Sequence, residues 1–206
     1  MSHKQTKGVP FIVSAPSGAG KTTLCKMAVA FFPGLRHSIS YTTRPPRAGE
    51  VDGEDYRFID DAGFDRMVES GEFLEYAGVH GKRYGTSRKD LSGLLDEGTD
   101  VILDIDVQGA EKVRGRLSGG VYIFILPPSV EACEERLRSR GKDSPEEIKK
   151  RLRIALDEIK KAQEYQYIII NDNLTAAFEK LKSIMIAEKA ASRRMMPRVA
   201  ELFGAE

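Results

Sequence analysis

Short apolar runs rich in β-branched residues alternate along the chain with stretches of helical periodicity. The apolar runs cover residues 9–14, 101–105, 121–126 and 167–170. Helical patterns occupy residues 21–32, about 129–141, the segment from 144 onward and about 174–191. Strands that are apolar on both faces and alternate with helices are typical of a parallel sheet covered on both sides. The pattern therefore predicts an α/β fold around a parallel sheet.

Two helix ends can be located from local signals. Ser144 is followed by Pro145 at the first helical position and by Glu147 at the third, which is the pattern of a capping box. Gly141 stands where the preceding helix would need a residue with positive φ just beyond its end. These signals predict two successive helices with a short break between them.

The segment 37–88 differs from the rest of the chain in composition and in its pattern of apolar residues. It is rich in Gly, Tyr and Arg, and its apolar residues partly alternate with polar ones. Alternation favours strands with one exposed face, and a short helical pattern covers about 64–70. We expect a small mixed insert beside the parallel sheet.

Composition narrows the class of protein without naming a function. The 206 residues fit one domain with inserts, and 32 basic against 31 acidic residues leave a net charge of +1. That balance argues against nucleic-acid binding through a basic arm. Two cysteines and three histidines provide neither a disulfide framework nor a zinc site. The polar segment 1–7 and the lack of long apolar runs predict no membrane span and a cytoplasmic location.

The segment 15–22 reads APSGAGKT and follows the first apolar run directly. It matches the phosphate-binding loop pattern GxxxxGK[ST] except for Ala15 at the first glycine. A glycine-containing turn between strand and helix directs backbone N–H groups and the helix dipole toward an anion. Lys21 is expected to face solvent and meet the β- and γ-phosphates, and the Thr22 hydroxyl to bind Mg²⁺. The alternative is a glycine-rich turn with a surface lysine, and the motif alone fits GTPases, motor ATPases and small-molecule kinases.

Two arginines flank a pair of prolines in the insert. Pro45 and Pro46 favour a polyproline backbone, whose three-residue repeat places Arg44 and Arg47 on the same side. Two guanidinium groups on a stiff segment suit a terminal phosphate. A solvated basic loop is the alternative.

Two carboxylates end the apolar run at 101–105. Asp104 and Asp106 are two residues apart, so both are expected on one face of the strand. Ligands bind at the carboxyl ends of parallel strands, where Asp104 is placed to act on Mg²⁺ or on its water ligands. Capping of the next helix is the alternative for Asp106.

Seven motifs, in their order and spacing, resemble the guanylate kinases, and in particular the bacterial members of that family. They lie at 14–22, 41–50, 53–56, 72–75, 84–86, 102–109 and 136–141, and the likeness covers about 9–190. The resemblance implies a three-layer P-loop NTPase core, a small mixed α/β insert that binds GMP and a helical lid. The implied division is core 1–36, insert 37–88, core 89–127, lid 128–160, and core with C-terminal helix 161–206. Ala15 departs from the general P-loop pattern, but the family includes members with Ala there.

The resemblance implies the reaction MgATP + GMP ⇌ ADP + GDP in purine nucleotide metabolism, with dGMP as a further substrate. The implied GMP-binding residues are Ser40, Arg44, Arg47, Glu50, Tyr56, Glu75, Tyr84, Gly85, Thr86, Asp104 and Asp106. The implied ATP-binding residues are Ala15, Pro16, Ser17, Gly18, Ala19, Gly20, Lys21, Thr22, Thr23, Asn171 and Asp172. The implied catalytic residues are Lys21, Arg44, Arg47, Arg136, Arg140 and Arg151. Thr22 and Asp104 are the implied Mg²⁺ ligands, directly or through water.

The chemistry of guanine agrees with these implied roles. Guanine presents N1–H and the 2-amino group side by side, and a carboxylate at Glu75 accepts from both, whereas adenine leaves it badly paired. Ser40 and Thr86 are expected to donate to O6. No catalytic base is required, because the second pKa of a phosphate monoester is about 6 and the acceptor is largely ionised.

Several residues also have a purely structural interpretation. Tyr56 and Tyr84 are aromatic residues that would equally serve core packing. Arg151 has Glu147 one helical turn before it as an ordinary partner. The pair 171–172 could form a turn and cap the helix that begins near 174.

Two other functions remain as alternatives. One is a non-catalytic guanylate-kinase-like module that binds phosphoprotein partners; such modules typically lack P-loop or lid residues that are present here. The other is a P-loop kinase of a different phosphate ester, against which Glu75 argues. The amphipathic tail 192–206 fits either a helical extension or a subunit contact, so a homo-oligomer stays open.

Overall fold

The computed structural model of the chain describes residues 6–79, 81–139 and 144–204. Strands β1 to β9 are Pro10–Ser14, Leu35–His37, Tyr41–Thr42, Arg57–Phe58, Phe73–Val79, Lys82–Ser87, Asp100–Asp104, Val121–Leu126 and Tyr167–Ile170. Helices α1 to α8 are Lys21–Phe31, Asp61–Glu69, Arg88–Asp96, Val107–Arg114, Val130–Arg138, Pro145–Lys160, Leu174–Lys189 and Ser192–Phe203. A short 3-10 helix, Lys161–Glu164, joins α6 to β9.

The central sheet is parallel and lies between two layers of helices. Its strand order is β2-β7-β1-β8-β9, so β1 lies in the middle and pairs with β7 on one side and β8 on the other. Along β1, Phe11 and Val13 pack with α1 and α7 on one face, whereas Ile12 packs with α3 and α4 on the other. Burial of both faces explains the continuous apolar runs of the sequence. The predicted α/β class with a parallel sheet is confirmed.

A second, smaller sheet has the order β4-β3-β6-β5 and mixes parallel with antiparallel pairs. Helix α2 covers it through Phe64, which is fully buried, with its ring 4.6 Å from the ring of Phe73. The helix begins three residues before the predicted 64–70 because the Asp60 side chain accepts from Gly63 N at 2.7 Å. This sheet supplies one wall of the candidate site.

Most helix ends agree with the sequence pattern, and two details differ, the end of β7 and the cap of α7. The capping box of Ser144 and Glu147 is present, and α5 is described to Arg138, so the predicted terminal Gly141 lies outside the described residues. Strand β7 ends at Asp104 and not at residue 105, since the following residues turn into α4. The cap of α7 is Asn173, which accepts from Ala176 N at 3.0 Å; neither residue of the 171–172 pair has that role.

The tail forms α8, an amphipathic helix without a fully buried residue. Its helical form is now established, whereas a subunit contact through it stays a prediction. None of the helices in the three described ranges is long and apolar enough to cross a membrane.

Candidate active site

The P-loop connects β1 to α1 and is shaped by two glycines. Gly18 and Gly20 have φ of 89° and 90°, a conformation that other residues rarely adopt. A Cβ on Gly20 would also lie 2.5 Å from Nδ2 of Asn171, so both the backbone conformation and the lack of space require glycine at this position. Gly20 caps α1 without any side-chain hydrogen bond, which leaves the first-turn N–H groups to an anion.

Lys21, the first residue of α1, points across the carboxyl ends of the strands. Its ammonium lies 2.8 Å from Oδ1 of Asp104 and donates to the carbonyl of Ile105 at 2.8 Å. Only 19% of the side chain is exposed, so the expectation that it faces solvent is wrong. The physical reason is that the strand end provides both a carboxylate and a free carbonyl within its reach.

The two sheets enclose a cavity of about 610 Å³ in front of the P-loop lysine. Ten predicted site residues line it: Lys21, Thr22, Ser40, Arg47, Glu50, Tyr56, Glu75, Tyr84, Asp104 and Asp106. Eight lining residues are absent from the prediction: Lys26, His37, Ser38, Ile39, Glu54, Asp55, Ala77 and Ile105. The pair 54–55 is acidic and lies inside the motif at 53–56, and the pair 37–38 is polar and precedes the motif at 41–50 by two residues; these are the signals that could have found them.

Glu75 is the buried carboxylate of this cavity. It is 5% exposed, and its Oε1 accepts from the Thr86 hydroxyl at 2.8 Å. Burial raises the pKa of Glu75, and the hydrogen bond from Thr86 opposes that rise. A Cβ on Gly109 would stand 3.1 Å from Oε2, so α4 approaches the carboxylate closely only because this residue is glycine. The carboxylate is thus fixed in place from two sides.

Thr86 and Gly85 lie behind the cavity and not in its lining. Thr86 is 1% exposed and its hydroxyl is committed to Glu75, so we assign it to positioning that carboxylate and not to donation toward guanine O6. The backbone of Gly85 lies under the ring of Phe73, where a Cβ would be only 2.7 Å from a ring carbon. Thr86 therefore acts on the cavity through Glu75, and Gly85 allows the close packing of Phe73.

The proline segment does not present two equivalent arginines. Arg44 donates to Glu50 Oε1 and to the Pro45 carbonyl, both at 2.8 Å, and its guanidinium lies 5.2 Å from the ring centre of Tyr56. The second carboxylate oxygen of Glu50 accepts from the backbone N–H of Arg47 at 2.8 Å. Glu50 therefore binds both the Arg44 guanidinium and the backbone of Arg47. Of the two arginines Arg47 lines the cavity, and their projection to the same side stays a prediction.

The two tyrosines pack against each other and line the cavity, while their predicted role in GMP binding stays a prediction. Tyr56 and Tyr84 lie edge to face with ring centres 5.9 Å apart, and both line the cavity. The ring of Tyr56 also contacts the Arg44 guanidinium, so packing and cavity shape depend on the same side chains.

Two arginines of α5 and α6, the helices of the predicted lid, contact the P-loop or its neighbour Asn171. Arg136 of α5 donates to the carbonyl of Asn171 at 2.9 Å, and Asn171 donates through Nδ2 to the carbonyl of Ala19 at 2.8 Å. Arg151 of α6 donates to the Ser17 hydroxyl at 2.6 Å. The third predicted lid arginine, Arg140, lies outside the described residues.

The remaining strand-end residues have mainly local partners. Asp106 caps α4 by accepting from Gly109 N at 2.8 Å, so its structural alternative is correct, while it also lines the cavity. Asp172 is exposed and accepts from the N–H of the next residue at 2.7 Å.

Glu158 is a charged neighbour of the P-loop that the sequence interpretation missed. Burial raises its pKa to about 7; Asp106 adds to the rise, whereas Lys21 and a hydrogen bond from the Ser17 backbone oppose it. It follows Arg151 by seven residues, or two helical turns, and this spacing places both on one face of α6. That periodicity is the signal by which it could have been found.

Comparison with known proteins decides the family. The guanylate kinase family model matches residues 7–188. The chain belongs to the guanylate kinase family. Curated guanylate kinases from Geobacter sulfurreducens and Geobacter metallireducens are 51% and 53% identical to it, each over 96% of this chain and 97% of the relative. The crystal structure of guanylate kinase from Anaplasma phagocytophilum superposes with a TM-score of 0.75 at 32% identity, covering 100% of both chains.

Two oxygen donors of this guanylate kinase family member suit Mg²⁺. The Thr22 hydroxyl and the Asp104 carboxylate line the same cavity, next to the P-loop. Within the described ranges no three acidic, His or Cys side chains form a group able to hold a metal alone. Mg²⁺ keeps several waters and binds one or two protein oxygens together with substrate phosphates, a donor set that Thr22 and Asp104 could complete.

Proposed function

We propose that the protein transfers the γ-phosphoryl group of MgATP to GMP, forming ADP and GDP, and that dGMP is also an acceptor. The observation that carries the proposal is Glu75, a buried carboxylate in the same cavity as the P-loop lysine. The names of the relatives support it. They do not favour a non-catalytic binding module or a kinase of another phosphate ester.

Glu75 gives the proposed preference for guanine. Thr86 occupies one carboxylate oxygen, and the other oxygen still has capacity to accept from the N1–H and 2-amino edge. Adenine has an acceptor at N1, and a buried carboxylate facing that acceptor would lose its hydrogen bonds. A site built to hydrogen-bond a substrate group rejects analogues without it strongly.

The cationic groups around the cavity have the proposed task of aligning and neutralising phosphates. Lys21 comes from the start of α1, Arg47 from the insert, and Arg136 and Arg151 from the lid helices beside the P-loop. Convergent positive charge stabilises the transition state of phosphoryl transfer, for which positioning is most of the catalysis. When bound, Mg²⁺, held by Thr22 and Asp104, supplies further charge neutralisation at the phosphate oxygens.

A general base is unnecessary in this proposal. The attacking group is a GMP phosphate oxygen, and the second pKa of a phosphate monoester is about 6, so the nucleophile is already charged. The task of the chain is therefore to hold two phosphate groups in line and to keep water from competing.

A coupled assay of ADP formation with GMP, dGMP, AMP, CMP and UMP tests the proposal. We expect turnover with GMP and dGMP, and kcat/KM for AMP lower by about 10⁴ because of the carboxylate mismatch. Comparable rates with AMP would contradict the guanine assignment, and the absence of turnover with any monophosphate would contradict kinase activity. The cytoplasmic location and the homo-oligomer remain predictions.

A further inference from the structure

A second cavity, of about 390 Å³, lies at the opposite end of β1 from the P-loop. Pro10 at the start of the strand lines it, whereas Ser14 at the end leads into the phosphate loop. Its walls come from α3, the loop 116–119 and the first turn of α8. None of the residues given a catalytic or substrate-binding role above lines it. The cavity is therefore separate from the proposed active site.

Positive charge dominates the rim of this cavity. Four basic side chains line it: Lys7, Arg88, Arg116 and Arg194. Asp96 is the single acidic residue in the lining, and it lies 2.7 Å from the Lys7 ammonium. None of the three arginines forms an ion pair with a carboxylate of the lining, and the acidic groups that act on Arg194, Glu188 and Asp100, lie outside the lining. An anion would find complementary charge here.

The arginines retain unused hydrogen-bond donors. Arg194 donates through Nη2 to the Gly119 carbonyl at 2.7 Å, while its Nε is buried without a partner. Arg116 donates through Nη1 to the Leu74 carbonyl at 2.8 Å, which leaves most of its donors available. The Arg88 side chain forms no hydrogen bond or ion pair with the described part of the chain. The remaining guanidinium donors of Arg88 and Arg116 are therefore the ones that an anion in the cavity would engage first.

The floor of the cavity is apolar. Leu74, Leu91, Leu95 and Leu117 line it together with Pro10. Leu74, Leu91 and Leu95 belong to the core between the central sheet and α3, so this surface is rigidly supported. An inorganic anion would meet only the rim, whereas a ligand with an apolar body would also cover the leucines. The combination selects an amphipathic anion.

We propose that this cavity is a binding site for a small organic anion, a carboxylate or phosphate ester with an apolar body. The anionic group lies among Arg88, Arg116 and Arg194, and the apolar body lies on the leucines. Its volume falls within the range of small-molecule sites, near the lower end. The proposal does not depend on the proposed kinase activity, since the residues and the cavity are different.

Phenyl phosphate is a suitable probe, and leucine methyl groups report where it binds. In a protein labelled with ¹³C at leucine methyls, we expect saturable shifts of Leu91 and Leu95 and none of Leu24, a buried residue of α1 that does not line this cavity. Inorganic phosphate and benzyl alcohol test the two halves of the ligand, and each should bind at least about tenfold more weakly. Absence of saturable shifts at Leu91 and Leu95 would overturn the proposal.

Matched arginine variants separate a specific site from general attraction. Arg194→Gln should weaken phenyl phosphate binding about tenfold, whereas Arg198→Gln in the same helix but outside the cavity should not change it. Because Arg194 also holds the loop at Gly119, Arg88→Gln is a second variant of an exposed side chain. It should weaken binding by a similar factor. Unchanged affinity in both cavity variants, or an equal loss in Arg198→Gln, would contradict the proposal.

Discussion

The carboxylate of Glu75 and the hydroxyl of Thr86 lie 2.8 Å apart in a part of the insert that excludes water almost completely. In Glu75→Gln the amide cannot accept from both guanine donors. The transition-state stabilisation measured by kcat/KM for GMP should therefore fall by about 2–3 kcal/mol. The KM for ATP should not change. Steady-state kinetics with each substrate varied in turn measures both values.

Glu72→Gln is the matched control for that substitution. Glu72 is exposed and its carboxylate accepts from Ser70 at 2.6 Å, away from the cavity. Its loss should leave kcat/KM for GMP unchanged. If Glu75→Gln raised the KM for ATP as much as that for GMP, the residue would have a structural role and the guanine assignment would fail.

Lys21 is the second residue whose removal has a clear expected outcome. Lys21→Ala should lower kcat by about 10²–10³, typical of losing one preorganised charge donor in the transition state. The variant leaves Asp104 unpaired, but that carboxylate is 20% exposed, so the protein should still fold. Turnover is measured by ADP formation and folding by circular dichroism. Turnover at the wild-type rate in a folded variant would contradict the P-loop assignment.

At this scale the sequence identifies residue types and not their partners. Lys21 and Asp104 are separately evident from motif and strand end, yet their ion pair joins positions that are far apart in the chain. The same limit applies to Arg44, whose ion pair with Glu50 no sequence pattern indicates. Contacts made by tertiary folding have no periodic signal, which explains why these details could not be predicted.

At the scale of elements, prediction succeeds where burial imposes a long pattern. Strand β8 has buried residues on both faces along most of its length and is predicted with correct bounds. Strand β2 has three residues and only Leu35 is fully buried, which is too little apolar pattern to identify it. Helix α3 was missed although Ser87 caps it through Asp90 N, because that signal lies at the end of the irregular insert.

Helix α6 carries a titratable group that makes lid stability depend on pH. Burial raises the pKa of Glu158 from an ordinary value of 4.5 to about 7, so the folded state binds its proton more tightly than the unfolded state. The resulting stabilisation is complete below about 4.5 and is lost as pH rises through about 7. Glu158→Gln should therefore raise Tm above pH 7 and change it little near pH 4.5. Thermal denaturation across this range measures the difference.

The neighbouring Asp157 offers a control of opposite sign. The hydrogen bond from Lys160, at 2.7 Å, lowers the pKa of Asp157, so its ionised form is favoured by folding. Asp157→Asn should not raise Tm above pH 7. A Tm difference between Glu158→Gln and wild type that stays constant from acid to alkaline pH would show that burial of this carboxyl does not govern lid stability.

At the scale of the molecule, the cavity is built by parts that are distant in sequence. Lys21 at the start of α1 and Glu75 of the small sheet line it, and Arg136 of α5 and Arg151 of α6 lie beside the P-loop, outside the lining of the cavity. The pattern of the chain predicts that a parallel sheet and a mixed insert exist. That the two sheets face one cavity follows from tertiary packing. Before the structure, only the family resemblance could predict it.

This division predicts that the two substrates order different parts of the molecule. Arg47 is exposed at the cavity, so GMP phosphate should gain its contact and slow amide exchange in β3–β6. A non-hydrolysable ATP analogue with Mg²⁺ should then slow exchange in α5 and α6, because their arginines lie beside the P-loop. Substrate phosphates supply the differential contacts that favour the ordered state.

Hydrogen–deuterium exchange with mass spectrometry resolves these segments, and α8 is the internal control because it does not line the substrate cavity. Exchange there should be the same with and without substrates. In Arg47→Ala the GMP-dependent protection of the small sheet should shrink, while the protection of the lid by the ATP analogue persists. If GMP alone protected the lid helices as strongly as the small sheet, the two parts would close as one unit. The lid arginines would then respond to the acceptor phosphate and not to ATP, so the stepwise mechanism would be wrong.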